Sequence, residues 1–468
     1  MASEAVVYAK ANGGRFVEEL KALLRIPSVS TAPEHVGDVR RAAEFVEEGL
    51  RAAGMENVRL IETTTAERQG HPLVYADWLH QPGKPTVLLY GHYDVQPAEP
   101  LDEWKSPPFE PTERDGNLYA RGAVDDKGQM WMHVKALESL MKAAPAAGGA
   151  EAALPVNVRV IVEGEEEVGG EGIAAFVREH GDQLQADAAL VSDTEMFAPE
   201  LPTLCVGLRG MIYTELEVQG SATDLHSGMY GGAAPNAFVA LAQVIAKLKD
   251  EDGHISIPGF YDGIEEPSAE ELAAWKTLPF DEEEYRRHEV GSTALTGEPA
   301  YSVLERTWSR PTMDVHGMPG GFIGAGAKTV IPAKAVAKVS FRLVPGMKPE
   351  PTFAKYKAFV ESIAPKGTQV SVRMIHSGEP IVVSTDNAYI RAAKAAMGEV
   401  FGKETVFVRG GGSIPIVGDF VRVLGVPTVM MGFGLPDDNL HAPNEKFHLA
   451  NFHRGIESII GFLDKVGE

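Results

Sequence analysis

Residues 88–97, LLYGHYDVQP, join the end of an apolar run to a polar tip. The run 86–90 predicts a buried strand, and Gly91 ends it. His92 and Asp94 follow at once, and in α/β folds the C-terminal edge of a parallel strand faces the crevice that binds ligands. Histidine is the commonest metal ligand, and a carboxylate often orients its ring. Because an HxD pair at a strand end is by itself more often structural, the prediction of a site depends on the rest of the chain.

Four more clusters of acidic or histidine residues follow apolar runs. They are RGAVDDKGQ (121–129), VEGEEEVGG (162–170), SDTE (192–195) and NLHAPNE (439–445). Solvated surface faces do not explain so many candidate ligands at strand ends. The glutamates 165–167 would ordinarily form an exposed acidic loop, but the strand before them is apolar. We therefore predict that this loop opens into the same crevice as His92.

The composition limits the class of protein. The chain has 468 residues, enough for two domains, and its 44% hydrophobic and 23% charged residues are typical of soluble globular proteins. The net charge of −23 argues against a nucleic-acid partner, for which a basic surface is expected. The single cysteine, Cys205, excludes an internal disulfide and favours the reducing cytoplasm. We expect no signal peptide in residues 1–16 and no membrane partner, since no apolar run approaches the roughly 20 residues of a membrane span.

The order of predicted elements indicates an α/β fold interrupted by a second domain. Buried strands alternate with amphipathic helices over residues 1–206 and again over 378–468, which predicts one discontinuous, doubly wound α/β domain. Between them, residues 207–377 predict an inserted α+β domain with a sheet covered by helices on one face. Within that domain, residues 265–289 are acidic and are expected to form an insertion rather than a core element. The small-residue stretch 143–154 is expected to form a surface loop.

At this point the motifs resemble those of a known family. GHYDVQP, RGAVDDKG, EGEEEVGG, SD, DLHSGMYGG and NLHAPNE, in this order, resemble the di-metal exopeptidases. That family includes carnosine dipeptidases, glutamate carboxypeptidases, aminoacylases and desuccinylases. The resemblance covers nearly the whole chain. DLHSGMYGG, KTVIP, FRLVP and GGSIP are most similar to the cytosolic non-specific or carnosine-type dipeptidase branch.

The resemblance implies a site with two divalent cations per subunit, Zn²⁺ or Mn²⁺. Its implied ligands are Asp125 bridging both ions, His92 and Asp193 on one, and Glu167 and His441 on the other. Glu166 is the implied general base, and Asp94 is implied to hold His92 in orientation. Residue 165 is Glu where relatives often carry an apolar residue, so the assignment of the three glutamates rests on their spacing from Gly164 and Gly169. The bond between Asp125 and Asp126 is expected to be cis.

Four further residues are implied to contact the substrate. On sequence alone, His226 reads as a surface-loop histidine and Arg342 as a paired structural arginine. The resemblance implies instead that His226 reaches the active site of the partner subunit and stabilises the oxyanion, which makes a homodimer through the inserted domain part of the mechanism. It implies that Arg342 grips the C-terminal carboxylate of the substrate, with Thr329 and Ser413 assisting. A structural role is expected for His376.

The predicted function is therefore metal-dependent hydrolysis of the peptide bond of dipeptides, by a metal-activated water with Glu166 as general base. An aminoacylase, a carboxypeptidase or a desuccinylase of the same family is the alternative, because the metal ligands do not separate these activities. A non-catalytic binding protein would need a lost ligand or base, and all of these positions are intact. A nucleophilic hydrolase is not supported, since no GxSxG motif occurs and Cys205 has no evident base nearby.

Overall fold

The computed structural model describes residues 3–66, 68–144 and 153–468. Most of the predicted loop 143–154 lies outside the described residues. The chain divides into two compact units. Unit 1 comprises Met1–Val206, Val383–Val408 and Ile414–Glu468, and unit 2 comprises Gly207–Val382 and Arg409–Ser413.

The strands are numbered along the chain. They are β1 (Glu56–Ile61), β2 (Leu73–Trp78), β3 (Thr86–His92), β4 (Thr112–Arg114), β5 (Asn117–Tyr119), β6 (Asn157–Glu163), β7 (Ala188–Val191), β8 (Thr203–Leu208), β9 (Gly210–Gln219), β10 (Leu225–His226), β11 (Thr312–Gly317), β12 (Val330–Ile331), β13 (Lys334–Leu343), β14 (Gln369–Gly378), β15 (Ile381–Val382), β16 (Val406–Gly410), β17 (Thr428–Met430) and β18 (Lys446–His448).

The α-helices are numbered in the same way. They are α1 (Glu4–Leu24), α2 (Val36–Ala53), α3 (Lys127–Ala143), α4 (Glu171–His180), α5 (Ser227–Tyr230), α6 (Ala237–Ile245), α7 (Ala269–Trp275), α8 (Glu282–Glu284), α9 (Val303–Trp308), α10 (Pro349–Ser362), α11 (Ala388–Phe401), α12 (Pro415–Asp419) and α13 (Leu449–Gly467). Tyr285–Val290 and Phe420–Leu424 are π-helical.

The main sheet of unit 1 has a parallel centre. Its strand order is β1-β2-β6-β3-β7-β17-β8, in which β3 is parallel to both β6 and β7, and β7 is parallel to β17. β1, β2 and β6 pair antiparallel on one side. The central strands are buried on both faces, which explains why they read as continuous apolar runs rather than as alternating ones. The predicted α/β class is confirmed.

The register of these strands brings the predicted clusters to one edge. His92 at the end of β3 lies beside Glu163 at the end of β6, and Tyr90 lies beside Val191 at the end of β7. The loops that follow β3, β6 and β7 therefore start from the same edge of the sheet. Helix α3 begins two residues after Asp125 and packs against α1, α2 and α13. Because α3 is enclosed by these helices, it is buried along most of its length.

Unit 2 contains a four-stranded antiparallel sheet in the order β11-β13-β9-β14. Burial alternates strictly along β9, as the period-two pattern of its sequence predicts. Helices α6 and α10 pack on this sheet, where Phe341 meets Tyr356 edge-on at a centroid distance of 4.7 Å. Residues 265–289 were expected to form an insertion rather than a core element, but part of this segment is packed. They include α7, whose buried Trp275 packs edge-on against Trp308 at 5.1 Å.

Within the part of the chain that the structure describes, no helix is both long and apolar enough to cross a membrane.

Candidate metal centre

His92 is a fully buried imidazole at the end of β3, and both of its ring nitrogens have acidic neighbours. Nδ1 lies 3.1 Å from the backbone oxygen of Asp94 and 3.3 Å from its Oδ1. Nε2 points the other way and lies 3.2 Å from Oδ1 of Asp125. Asp94 also accepts a hydrogen bond on Oδ2 from the backbone N–H of Glu167, at 3.2 Å. Asp94 thus contacts His92 through its main chain as well as its side chain.

The two oxygens of Asp125 face different imidazoles. Oδ1 faces His92, and Oδ2 lies 2.8 Å from Nε2 of His441. The peptide bond between Asp125 and Asp126 is cis, as the resemblance predicted. This carboxylate therefore lies between two groups of potential ligands.

These groups are two clusters of three residues, and the ligand atoms within each lie within 4.8 Å of one another. One cluster is His92, Asp125 and Asp193, and the other is Asp125, Glu167 and His441. Two ligand atoms that each lie about 2.0–2.1 Å from a tetrahedral ion are about 3.3 Å apart. The separations of 3.2 and 3.9 Å in the first cluster and of 2.8 and 3.4 Å in the second bracket that value. One imidazole and two carboxylates also suit borderline cations such as Zn²⁺, and carboxylate-rich sites admit Mn²⁺.

The three consecutive glutamates, residues 165–167, have different partners. Glu165 is buried, pairs with Arg68, and accepts the backbone N–H of Gly172 at 3.1 Å. Glu167 accepts a hydrogen bond of 2.7 Å from Nε2 of Gln96 and lies 3.4 Å from His441. Glu166 belongs to neither ligand cluster among the described residues.

Burial and charge perturb the acids and bases of this centre. Burial raises the pKa of Glu166 well above its usual value, although His92 opposes the rise. Burial also raises the pKa of Asp193 to about 7. Hydrogen bonds to Asp125 and Glu167 raise the pKa of His441 to about 10. Burial opposes ionisation of Asp125, but hydrogen bonds from His441 and His92 hold its pKa well below the usual range.

The centre also contains more buried carboxyl groups than its positively charged side chains neutralise. Oδ1 of Asp126 and Oε2 of Glu163 are buried and accept no hydrogen bond from the part of the chain that the structure describes. Burial raises the pKa of the Glu163 carboxyl to about 8 and that of Asp126 well above its usual value. Such a concentration of acidic groups fits bound cations, because an uncompensated buried charge is costly.

Sequence reasoning missed the pair Arg121 and Glu445. Glu445 accepts a hydrogen bond of 2.7 Å from Nη1 of Arg121 and three more from backbone N–H groups of residues 122–125. Burial raises the pKa of Glu445, and Arg121 opposes that rise. Arg121 opens the motif RGAVDDKG and Glu445 ends the motif NLHAPNE, but neither motif indicates that the two residues pair.

The four residues implied to contact the substrate belong to unit 2. His226 is exposed on β10, where Nδ1 accepts the backbone N–H of Gly228 at 3.0 Å. β10 pairs with β12, and the carbonyl of Thr329 accepts the N–H of Ser227 at 3.1 Å. His226 and Thr329 therefore lie on adjoining segments of unit 2.

Arg342 and Ser413 are in contact. Arg342 Nη1 donates to Ser413 Oγ at 2.9 Å, and that hydroxyl donates to the carbonyl of Arg209 at 2.6 Å. Burial, together with the like charge of Arg342, lowers the pKa of Arg209 to about 10. Arg209 was not anticipated from the sequence. His376 stacks on Tyr213 at 5.2 Å, and burial lowers its pKa.

Comparisons with known proteins find relatives that are similar in sequence and in fold over most of the chain. The chain is 34% identical to the Cys-Gly metallodipeptidase DUG1 of Candida albicans over 97% of this chain and 95% of the relative. It is 33% identical to the human Beta-Ala-His dipeptidase over 84% of this chain and 77% of the relative. The solved structure of the dipeptidase Dug1p of Saccharomyces cerevisiae matches with a TM-score of 0.86 and 29% identity, over 99% of this chain and 98% of that one.

The family model for Peptidase family M20/M25/M40 matches residues 88–465, a span that starts within β3, the strand that ends at His92, and continues past His441. The resemblance stated from the motifs is thereby confirmed, and the chain belongs to peptidase family M20/M25/M40.

Proposed function

We propose that this chain hydrolyses the peptide bond of dipeptides and needs two divalent cations, Zn²⁺ or Mn²⁺, to do so. The observation that carries the proposal is the position of Asp125, whose two carboxylate oxygens face His92 and His441. His92, Asp125 and Asp193 would hold one ion, and Asp125, Glu167 and His441 would hold the other. Relatives with a third of their residues identical are named for Cys-Gly and Beta-Ala-His dipeptides.

When two divalent cations are bound, they supply Lewis acidity, which makes water more acidic and polarises the scissile carbonyl. Glu166 is the proposed general base. Its carboxylate takes a proton from the attacking water as the new C–O bond forms, and it delivers a proton to the amine nitrogen as the C–N bond breaks. Glu166 is free for this role because it belongs to neither ligand cluster among the described residues. Asp94 keeps the ring of His92 in place through its contacts with Nδ1.

We assign the carboxylate end of the substrate to unit 2. Arg342 is the proposed partner of the C-terminal carboxylate, with Thr329 and Ser413 assisting, because guanidinium groups bind carboxylates in a bidentate way. The contact of Arg342 with the Ser413 hydroxyl supports this proposal. Within the described residues, Arg342 has no ion-pair partner of its own, which leaves its charge available for a ligand.

We further propose a homodimer in which unit 2 is the lid and dimerisation domain and unit 1 the catalytic domain. His226 of the partner subunit would then donate to the oxyanion, and its exposed position in a single chain fits that role. Unit 2 also exposes large apolar side chains, among them Ile323 at 93% and Met229 at 75%. Exposed apolar groups of this kind mark interaction surfaces. The proposed location is the cytoplasm, which the lone, buried Cys205 favours.

The test is hydrolysis by metal-stripped protein before and after addition of Zn²⁺ or Mn²⁺, with free dipeptides and an N-acetyl amino acid in parallel. We expect the cations to restore cleavage of dipeptides. Recovery with the N-acetyl amino acid alone would move the protein to an aminoacylase activity of the same family. No recovery with any substrate would contradict the proposed function.

A further inference from the structure

Arg121 and Glu445 form an ion pair that is buried among the loops carrying the candidate ligands. Their side chains are 1% and 0% exposed, and Arg121 Nη1 lies 2.7 Å from Glu445 Oε2. Neither residue belongs to the two ligand clusters. A buried ion pair is often no more stabilising than an apolar pair of the same volume, because both charges lose their hydration. Stabilisation by the ion pair itself therefore does not explain its role, and the hydrogen bonds of the two side chains have to be considered.

The carboxylate of Glu445 binds the main chain of the segment that ends at Asp125. Oε2 accepts the N–H of Gly122 at 2.8 Å, and Oε1 accepts the N–H groups of Val124 and Asp125 at 3.0 and 3.2 Å. The backbone oxygen of Glu445 accepts the N–H of Ala120 at 3.1 Å. The loop that carries His441 thus holds the loop that carries Asp125.

The guanidinium of Arg121 extends the same connection to the third loop. Its Nη2 donates to the carbonyl of Ala442, next to His441, and to the carbonyl of Pro97, both at 3.2 Å. Pro97 lies five residues after His92, in the loop that follows β3. One buried pair therefore joins three loops: the loop of Asp125, the loop of His441 and the loop that follows His92.

We propose that Arg121 and Glu445 are positioning residues, which hold the ligands of these three loops in register and thereby set the affinity of the centre for divalent cations. The inference rests on the proposed function, because it requires the clusters to bind cations. Removing a group that orients metal ligands typically weakens metal binding by about 10- to 100-fold.

Glu445→Gln is the sharpest perturbation, because it preserves volume and changes the hydrogen bonding. Each carboxylate oxygen of Glu445 accepts from two donors. A glutamine has one acceptor oxygen and one NH₂ group, so in either orientation two N–H donors face another N–H group. Arg121→Met removes the other half of the pair and keeps most of its apolar length.

Glu298 and Arg310 in unit 2 provide the matched control. Their ion pair has an N–O distance of 2.7 Å, with side chains 12% and 7% exposed, and neither belongs to a ligand cluster. Glu298→Gln therefore breaks a comparable pair without touching the three loops.

The experiment titrates Zn²⁺ into the full-length, metal-stripped wild type, E445Q, R121M, the double variant and E298Q, in competition with a chromophoric chelator. Circular dichroism melting fixes a temperature at which all of them are folded. We expect E445Q and R121M to weaken Zn²⁺ binding by about 10- to 100-fold. The double variant should bind no more weakly than the worse single variant, since the pair acts as a unit. E298Q should bind Zn²⁺ as the wild type does.

Folded E445Q with wild-type Zn²⁺ affinity would overturn the inference and leave the pair a structural role alone. A double variant whose losses simply add would overturn the claim that the two residues act together. A wild type that binds neither Zn²⁺ nor, in a parallel titration, Mn²⁺ would instead refute the proposed function, so the two failures are distinguishable.

Discussion

The substitution Glu166→Gln separates proton transfer from metal binding in the proposed reaction. Glu166 lies outside both ligand clusters, and glutamine keeps its volume while removing the carboxylate that accepts the proton. A general base contributes about 10²- to 10⁴-fold to the rate. At about 1.4 kcal/mol for each factor of ten, the expected rise in the activation barrier is about 3–5 kcal/mol.

The neighbouring glutamates supply the controls, because the structure gives them different partners. Glu165→Gln removes charge-assisted bonds to Arg68 and to the N–H of Gly172, and such bonds contribute about 1.5–3 kcal/mol each. We expect it to lower the free energy of unfolding without changing the number of ions bound. Glu167→Gln removes a candidate ligand, so metal content and turnover should fall together.

The assay measures kcat for a dipeptide at saturating substrate, the metal content per chain by mass spectrometry, and unfolding by circular dichroism. E166Q should retain two ions and the wild-type melting temperature while kcat falls by about 10²- to 10⁴-fold. Turnover within tenfold of the wild type, at full metal content, would refute the role of Glu166. Loss of an ion in E166Q would place this residue among the ligands instead of the proton carriers.

Three further predictions follow from the pKa shifts and from unit 2. Burial lowers the pKa of His133 to about 3. Between about pH 3 and 6.5 the unfolded chain therefore binds more protons than the folded chain, and the free energy of unfolding rises with pH. Denaturant titrations should show the wild type losing about 2 kcal/mol through this group between pH 7 and 5, and His133→Asn should remove that part of the loss. Because the pKa of His441 is raised to about 10, cation binding must displace its proton, and isothermal titration should show Zn²⁺ affinity rising about tenfold per pH unit between pH 7 and 8. Arg342→Met should raise KM for free dipeptides by about 10- to 100-fold, from the loss of a charge-assisted bond worth about 1.5–3 kcal/mol, and should raise KM little for dipeptide amides. Equal effects on both substrate types would contradict the assigned carboxylate contact.

Elements with a clear local apolar pattern could be predicted from the sequence. The predicted buried strand at 86–90 lies within strand Thr86–His92, and burial alternates along strand Gly210–Gln219 as its period-two sequence pattern predicts, because local pattern and burial agree there. The strands Thr112–Arg114, Asn117–Tyr119 and Lys446–His448 were not anticipated. Three residues are too few to show an alternating pattern, and these strands exist because they pair with one another.

In the candidate site, too, residues that belong to a local sequence pattern could be predicted, and contacts between residues far apart in the chain could not. His92 could be identified from one local stretch of sequence, because residues 88–97 contain both the apolar strand and the polar residues that end it. The pairing of Arg121 with Glu445 joins residues 324 positions apart in the chain. No local pattern encodes that contact, since it arises when strand Asn117–Tyr119 pairs with strand Lys446–His448 and brings the two loops together.

Gly91 is important for a reason that the sequence pattern does not show. The pattern treats it as the residue that ends a strand, yet the strand continues through His92, and Gly91 is not among the glycines with positive φ. A Cβ atom at this position would lie 2.8 Å from Cβ of Met130 and 2.9 Å from Oδ2 of Asp126. The missing side chain thus permits helix α3 to approach the strand closely, and the same Oδ2 accepts the backbone N–H of His92 at 3.1 Å. Any larger residue at position 91 would push the start of α3 away from the strand, and Asp125 would move relative to His92. The separation of these two candidate ligands therefore depends on a glycine that bears no ligand atom itself.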